Sequence, residues 1–526
     1  MALTRPISSV PISSVPISFV PNATPSSILL FLVGLFTLYY ITSSILARRR
    51  LRAFKGPIFT SFSYAWLLRA IHSDRMGDWL TWANDAYGPG RGIPSTVRIG
   101  PYDLATSDAE FLRRISSARS RYNRSNWYAT NRLDPNHDSM LSITDTPAHD
   151  RLKAKTASGY AGKENPGLEG DIDSVLGDMV GLIRDKYARG QGKLLDLATI
   201  SQYFTLDSIT KVAFGHEFGF LRKEEDVYEW VAMTTELGPA MVTAASIPYL
   251  AAIMSTKFMM RITGPKPGDK RGFGRILPVA REIVSKRFAP GVKDQKDMLG
   301  SFVRHGLTQT EAETESVFQM LAGSDTTATA IRATMLYVMT NPRVYYALRT
   351  EIDQAIQDGR ISTPITATEG GALPYLQAVI QEGLRIHPPF SALLSKVVPP
   401  EGDYTTDGVF VPAGTRISPS IFALCRNRAV FGADADIFRP ERWLEATPEG
   451  QAEMKKSTDL IFGHGRWMCP GKTVGFLELN KVFVELLRHF DLELAYPERP
   501  WKSTNYNLFL QKDMWVKVTE REGNKA

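Results

Sequence analysis

The chain predicts a mainly α fold with small β-sheets, an α+β body held behind a single N-terminal transmembrane helix. Three observations carry this. The stretch "ILLFLVGLFTLYYITSSIL" at residues 28–46 holds no charge, and at about 1.5 Å per residue it just spans a bilayer core of roughly 30 Å. Residues 307–342, "LTQTEAETESVFQMLAGSDTTATAIRATMLYVMTNP", open on a capping box of Thr308 and Glu311 and close on Asn341-Pro342, which predicts a helix of about 30 residues crossing the body. Strand-like runs are short: residues 95–100, 407–418 and 514–520 combine β-branched residues with turn markers.

Ahead of the apolar run, residues 1–27 form a Pro/Ser-rich tail in which Pro6, Pro11, Pro16 and Pro21 recur in step. So much proline opposes helix and favours an extended segment. Arg48, Arg49, Arg50 and Arg52 follow the run at once, and the positive-inside bias then puts the tail in the lumen and the body in the cytosol. A cleaved signal peptide would carry its charge before the run rather than after it. The sequon at Asn22 would be lumenal in this topology. Residues 47–57 form a basic linker ending in Gly56-Pro57, and residues 58–526 form the main domain.

At 43% hydrophobic, 10% aromatic and 22% charged residues, the chain can bury a large core and is not of disordered composition. Its only two cysteines, Cys425 and Cys469, are far apart, which excludes a disulfide framework and a thiolate zinc site. The net charge of +7 is scattered among 55 acidic residues, giving no basic stripe for nucleic acid. "GDKRGFGRI" at 268–276 is a glycine pattern without the flanking strand and helix of a dinucleotide site, and reads as loop.

Three stretches carry chemistry. In the long helix, Ala322-Gly323-Ser324-Asp325-Thr326-Thr327 lowers helix propensity, so a local widening is expected there. Small residues also admit a packing neighbour, while Asp325 and Thr326 in an apolar setting are candidates for a proton relay. In "LPYLQAVIQEGLRIHPP", residues 373–389, Glu382 and Arg385 share one helix face; "FRPERW" at 438–443 offers Arg442 to the same carboxylate. Third, "FGHGRWMCPGK" at 462–472 puts Cys469 on a glycine-rich turn before the helical pattern of 473–494. Backbone N–H groups at the helix start would stabilise a thiolate there. A buried structural cysteine, or a nucleophile using His464 or His387, remains an alternative for the residue alone. Gly463, Gly465 and Gly471 would let the backbone approach something flat and bulky.

In this order and spacing, AGSDTT, ExxR, FRPERW and FGHGRWMCPGK resemble the cytochrome P450 monooxygenases over nearly the whole chain. Residues 469–491 are most similar to fungal members related to pisatin demethylase. The resemblance implies the cytochrome P450 fold and a haem b cofactor, with Cys469 as the axial thiolate on iron, pushing electron density toward dioxygen. It implies Phe462 and Gly463 beside the sulfur, proton delivery through Thr326 and Asp325, and a structural triad of Glu382, Arg385 and Arg442. Partners would be an NADPH-dependent flavoprotein reductase, docked near Arg466, Lys472 and Lys481, an apolar small-molecule substrate, and the endoplasmic reticulum membrane. Such a protein would oxidise a secondary metabolite such as a terpenoid, polyketide or alkaloid. An isomerase or peroxide-rearranging relative, or a haem sensor without turnover, are the alternatives.

The chain departs from the family where relatives hold the haem propionates. Two residues before the cysteine, where most relatives have arginine, stands Trp467, with Arg466 one place earlier. His149 and Lys153 occupy the early helix, and Lys396 follows "HPP". His149, Lys153, Lys396 and Arg466 are the expected propionate partners, since two buried carboxylates need several donors. Phe318, Met320 and residues 391–395, "SALLS", are candidates to line an apolar pocket.

Overall fold

The computed structural model describes residues 25–521 apart from 191, 267, 270, 271 and 392. The proline repeat and Asn22 lie outside the described residues, as do one residue of "SALLS" and two of the glycine-bearing stretch at 268–276. The apolar run forms helix α1, Pro25–Arg50, three arginines in its last turn. It is long and apolar enough to cross a membrane, and its side chains are mostly exposed, Leu30 at 72%. Only its base docks: Ala47 is buried and the Tyr40 hydroxyl donates to the Phe62 carbonyl at 2.9 Å.

The body is predominantly helical. Five further helices position the site: α2 (Thr146–Tyr160), α3 (Leu197–Phe214), α4 (Gln309–Thr340), α5 (Pro374–Ile386) and α6 (Lys472–His489). The 32 residues of α4 start from the expected capping box of Thr308 and Glu311, and Pro342 opens the next helix after the Asn341 cap. At about 1.5 Å per residue it runs roughly 48 Å through the core. Around it pack Phe204 and Leu206 of α3, Ile331 and Met335 of α4 itself, and Val482 and Phe483 of α6.

The widening expected at 322–327 is not present: α4 stays α-helical throughout. Two local contacts explain this. The Thr326 hydroxyl donates back to the Ala322 carbonyl at 2.9 Å, satisfying itself within regular geometry. Gly323 faces α3, where a Cβ would stand 2.8 Å from Ile209 Cγ1, so the small residues admit a packing neighbour instead of loosening the helix.

The three marked stretches contain strands, but so do Asp103–Thr106, Asn123–Arg124 and Lys396–Val397, which carried no marker. The main sheet takes β1 (Thr96–Gly100), β2 (Asp103–Thr106), β3 (Asn123–Arg124), β4 (Lys396–Val397) and β5 (Arg416–Pro419), in spatial order β1-β2-β5-β4-β3. The β2–β5 pair is parallel; in the antiparallel β3–β4 pair Arg124 stands opposite Lys396. The helical pattern read through residue 494 ends earlier. Phe490–Leu494 is a strand, paired with Trp515–Glu520, because tertiary pairing with a β-branched strand outweighs a helical pattern at a helix end.

Besides its core packing, helix α5 is tied to the segment 439–443 through one carboxylate. Glu382 and Arg385 are both fully buried. Arg385 Nε and Nη2 donate to the two oxygens of Glu382 at 2.8 and 2.7 Å, Arg442 Nε adds a bond at 3.0 Å, and the Trp443 indole and Arg439 backbone N–H donate at 3.0 and 2.8 Å. Burial would raise the Glu382 pKa, but these donors outweigh it and hold the carboxyl below its ordinary value. Arg442→Ala leaves the rest of the network with a partly uncompensated charge and is expected to cost about 3–5 kcal/mol. Urea unfolding followed by circular dichroism measures this; a loss under about 1 kcal/mol would contradict the role.

Candidate active site

The cysteine turn is shaped by its glycines. Gly463 and Gly465 have φ of 74° and 55°, in the left-handed region where side chains are strained. A Cβ on Gly465 would meet the Ser116 carbonyl oxygen at 2.6 Å, and one on Gly463 the Trp467 carbonyl oxygen at 2.8 Å. These two glycines therefore serve close approach within the protein. The turn closes through the Cys469 N–H, which donates to the Phe462 carbonyl at 2.7 Å. The Phe462 ring lies 5.5 Å from Phe476 of α6, with Lys472 Nζ above both.

Cys469 is exposed by surface area, yet it is ringed closely enough by protein for burial to raise its thiol pKa. Both hold for a side chain lining an interior cleft, and the burial is the better guide to its electrostatics. The backbone N–H groups of Gly471 and Lys472 and the charges of Lys153 and Lys472 pull the other way without prevailing. The expectation that the helix start alone favours the thiolate is corrected: desolvation is the larger effect, and a cation at the sulfur is needed to reverse it. Neither candidate base serves Cys469. Among the described residues His464 contacts Arg113 at 3.4 Å, while His387 packs 4.2 Å from Phe509 with its pKa pushed down to about 3 by burial.

Helix α6 carries the turn up to α4. Six residues beyond the cysteine, a Cβ on Gly475 would stand 3.8 Å from Thr327 Oγ1. On α4, Ala322 is exposed and Thr326 half-buried, so this face is open. Asp325 is on another face: it is buried, beside Arg332 and Gln202, and desolvation raises its pKa to about 6. Arg332 in turn donates to Gln202 and to the Ala198 carbonyl of α3. The structure thus does not bring Asp325 and Thr326 together on the open face.

Beside the turn lies a cluster of cations. Lys396 and Arg124 are directly opposed across two strands and both buried, and among the described residues neither has an ion pair with a carboxylate. Like charges so placed destabilise a strand pair; burial, then Arg124, lowers the Lys396 pKa to about 7. Arg124 spends Nη1 on the carbonyls of Met140, Leu141 and Ile143 at 2.6, 3.1 and 3.1 Å, leaving Nε buried and unpartnered. Lys153 of α2 donates to the Arg466 carbonyl at 2.7 Å. His149 stacks on Trp467, and burial pushes its pKa down to about 4. A buried cation set short of carboxylates fits the two acid groups of a haem, and a cysteine at the same cleft fits its iron.

Other expectations fail here. Lys481 is no surface residue: it is fully buried and paired with Glu169 at 2.7 Å and Asp173 at 2.9 Å. Lys472 pairs with Asp459 at 2.6 Å and Arg466 with Asp150 at 3.0 Å, so the proposed basic docking face is largely neutralised. Met320 is core, at 2% exposure, while Phe318 packs half-buried against that core. Sequence reading missed Arg124, whose only signal was its place in the arginine-rich "RSRYNRS". It also missed Glu315, which accepts from the Met140 N–H at 2.9 Å and from the Tyr160 hydroxyl, and Glu478 of α6, buried beside Thr327 and Ser208.

The chain belongs to the cytochrome P450 family, whose model matches residues 96–518. It is similar to cytochrome P450 monooxygenase ABA1 of Pyricularia oryzae, 46% identical over 93% of this chain and 96% of that protein. It is also similar to cytochrome P450 monooxygenase aba1 of Botryotinia fuckeliana, 44% identical over 90% of this chain and 93% of the relative, and to cytochrome P450 monooxygenase abl1 of Leptosphaeria maculans, 40% identical over 91% and 85%. Within that family it is a monooxygenase, an oxidoreductase built around haem iron.

Glu478 supplies a pH test. Burial raises its pKa from 4.5 to about 8, so the folded state holds a proton that the unfolded chain releases. Its contribution is then full below about pH 4.5 and is lost as pH rises toward 8. Glu478→Gln is expected to gain stability over the natural protein from pH 5 to pH 8, read as the gap between their urea midpoints. A gap that stays constant with pH counts against a buried, protonated Glu478.

Proposed function

We propose that this monooxygenase inserts one oxygen atom of dioxygen into an apolar secondary metabolite, the other leaving as water with two protons and two electrons from an NADPH-dependent reductase. The reading rests on one chain of contacts: the charge of Lys153 acts on the Cys469 thiol, Arg124 stacks on Trp467 two residues before it and faces Lys396, and α6, which starts from the turn, brings Gly475 to Thr327 of α4. A b-type haem held there by the Cys469 thiolate would supply the oxygen-activating chemistry. Phe462 and Gly463 shape the turn around the sulfur. Lys396, Lys153 and His149 hold the acid groups, and Arg466 braces the turn through Asp150. Thr326 presents its hydroxyl at the open face to position a proton. Asp325, with its raised pKa, stores a proton one residue away and reaches that face only through a rearrangement of its contacts with α3. Glu382, Arg385 and Arg442 hold the scaffold.

Helix α1 suits a single-pass anchor, with residues 1–27 lumenal, 28–46 in the membrane, 47–57 a linker and the domain 58–526 cytosolic at the endoplasmic reticulum. Its arginine-flanked C-terminal end supports this orientation. The substrate class follows from the likeness to fungal monooxygenases, with a terpenoid, polyketide or alkaloid as the chemistry to screen.

Carbon monoxide difference spectra test the ligand: Cys469→His should lose the strongly red-shifted thiolate band, and its survival would refute the assignment. In reconstituted membranes Thr326→Ala is expected to lower product formed per NADPH consumed by about tenfold or more; unchanged coupling removes Thr326 from proton delivery. The Lys153→Ala/Lys396→Ala double variant should purify with less haem than the natural protein, and full haem content would count against both lysines.

A further inference from the structure

Trp467 is the residue of the cysteine turn that the protein's own contacts leave unexplained. Three groups lie against its ring: Arg124 Cζ 4.5 Å from the ring centroid, Arg466 Cζ at 5.9 Å and the His149 ring at 4.5 Å on a tilted stack. Such contacts fix the plane of an indole and therefore the direction of its N–H. That Nε1 atom is buried and, among the described residues, has no hydrogen-bond partner, although a buried indole N–H ordinarily finds one. Arg124 shows the same deficit: Nη1 is occupied by three carbonyls, Nε is buried without a partner, and among the described residues no carboxylate pairs with it. An unpartnered indole donor beside a buried cation that has no ion pair with a carboxylate among the described residues amounts to a site for an anion that accepts hydrogen bonds.

We propose that the Trp467 N–H and the Arg124 guanidinium bind one carboxylate of the haem together, the indole giving a directed neutral hydrogen bond and the arginine the charge. This rests on the haem–thiolate reading above. A neutral donor at 467 orients the carboxylate without placing a second fixed charge beside the turn, so this position tunes the iron's potential as well as its retention. Arg124 also ties the bound carboxylate to the 140–143 backbone, which Glu315 of α4 holds from the other side at Met140.

The test uses the haem-loaded full chain in membranes or detergent. Trp467→Phe keeps the stack and removes only the N–H; haem transfer to excess apomyoglobin is expected to quicken by about tenfold or more, since the lost bond is to a charged acceptor. The thiolate–carbon monoxide band should persist. Trp467→Arg replaces the neutral donor by a charged one, with haem loss no faster than in the natural protein and a more positive reduction potential. A Trp467→Phe protein that loses haem at the natural rate, or a Trp467→Arg protein with an unchanged potential, overturns the proposal. Should the Phe variant not fold, the potential of the Arg variant decides alone. A natural protein lacking the thiolate band would instead overturn the haem–thiolate reading itself.

Discussion

The structure depends on a carboxylate that cannot be left alone. Glu382 is fully buried, and an ionised carboxylate in such a place is tolerated only when every lone pair is answered. Arg385 answers from the same helix, Arg442, Trp443 and the Arg439 backbone from the segment beyond. Arg385 also donates to the carbonyls of Cys425, Ala435 and Ile437, so one acid gathers α5 and two loops. The chain runs from that knot through the helix Pro448–Asp459 straight into the cysteine turn. Gln451 ties this helix back to the Trp443 carbonyl at 2.8 Å. The Cys469 turn is thus tied to the Glu382 ion network through this helix.

The second constraint is the passage of α4 through the core. A helix this long presents different faces to different neighbours. The face with Gly323 admits α3, the face with Asp325 and Arg332 makes a buried polar contact with Gln202, and the face with Ala322 and Thr326 stays open. Adjacent residues on a helix point about 100° apart, which is why an acid and a hydroxyl next to each other in sequence do different work. The buried acids Glu315, Asp325 and Glu478 all lie on α4 or against it, and burial pushes each pKa upward. Of the three, Glu478 with its pKa of about 8 is the one that stays mainly protonated at neutral pH.

The cation cluster reverses the logic of the triad. There a buried anion is satisfied by the protein; Arg124 and Lys396 have no ion pair with a carboxylate among the described residues, and burial lowers the pKa of each, with the charge of Arg124 lowering that of Lys396 further. The protein carries that cost beside the turn that bears Cys469. Elsewhere on this side ion pairs are complete, as Lys472 with Asp459 and Lys481 with Glu169 and Asp173 show. A reductase docking on this face would thus meet balanced charge more than a basic patch.

Local pattern determined much by itself. The charge-free run, the Thr308 capping box, the Asn341-Pro342 stop and the spacing of Glu382 to Arg385 each depend on residues close in sequence, and each stands in the structure as read. Cys469 could be singled out in the same way, because a glycine turn before a helix is a local feature. What tertiary structure alone decided concerns residues far apart. Arg124 lies opposite Lys396 only because β3 and β4 pair, and Lys481 is buried because Glu169 and Asp173 cover it. Phe490–Leu494 leaves the helix because a strand from the C-terminal end is there to pair with it. Periodicity shows which face of an element is apolar, but the partner of a charge and the direction of an indole N–H are set by neighbours that only folding brings together.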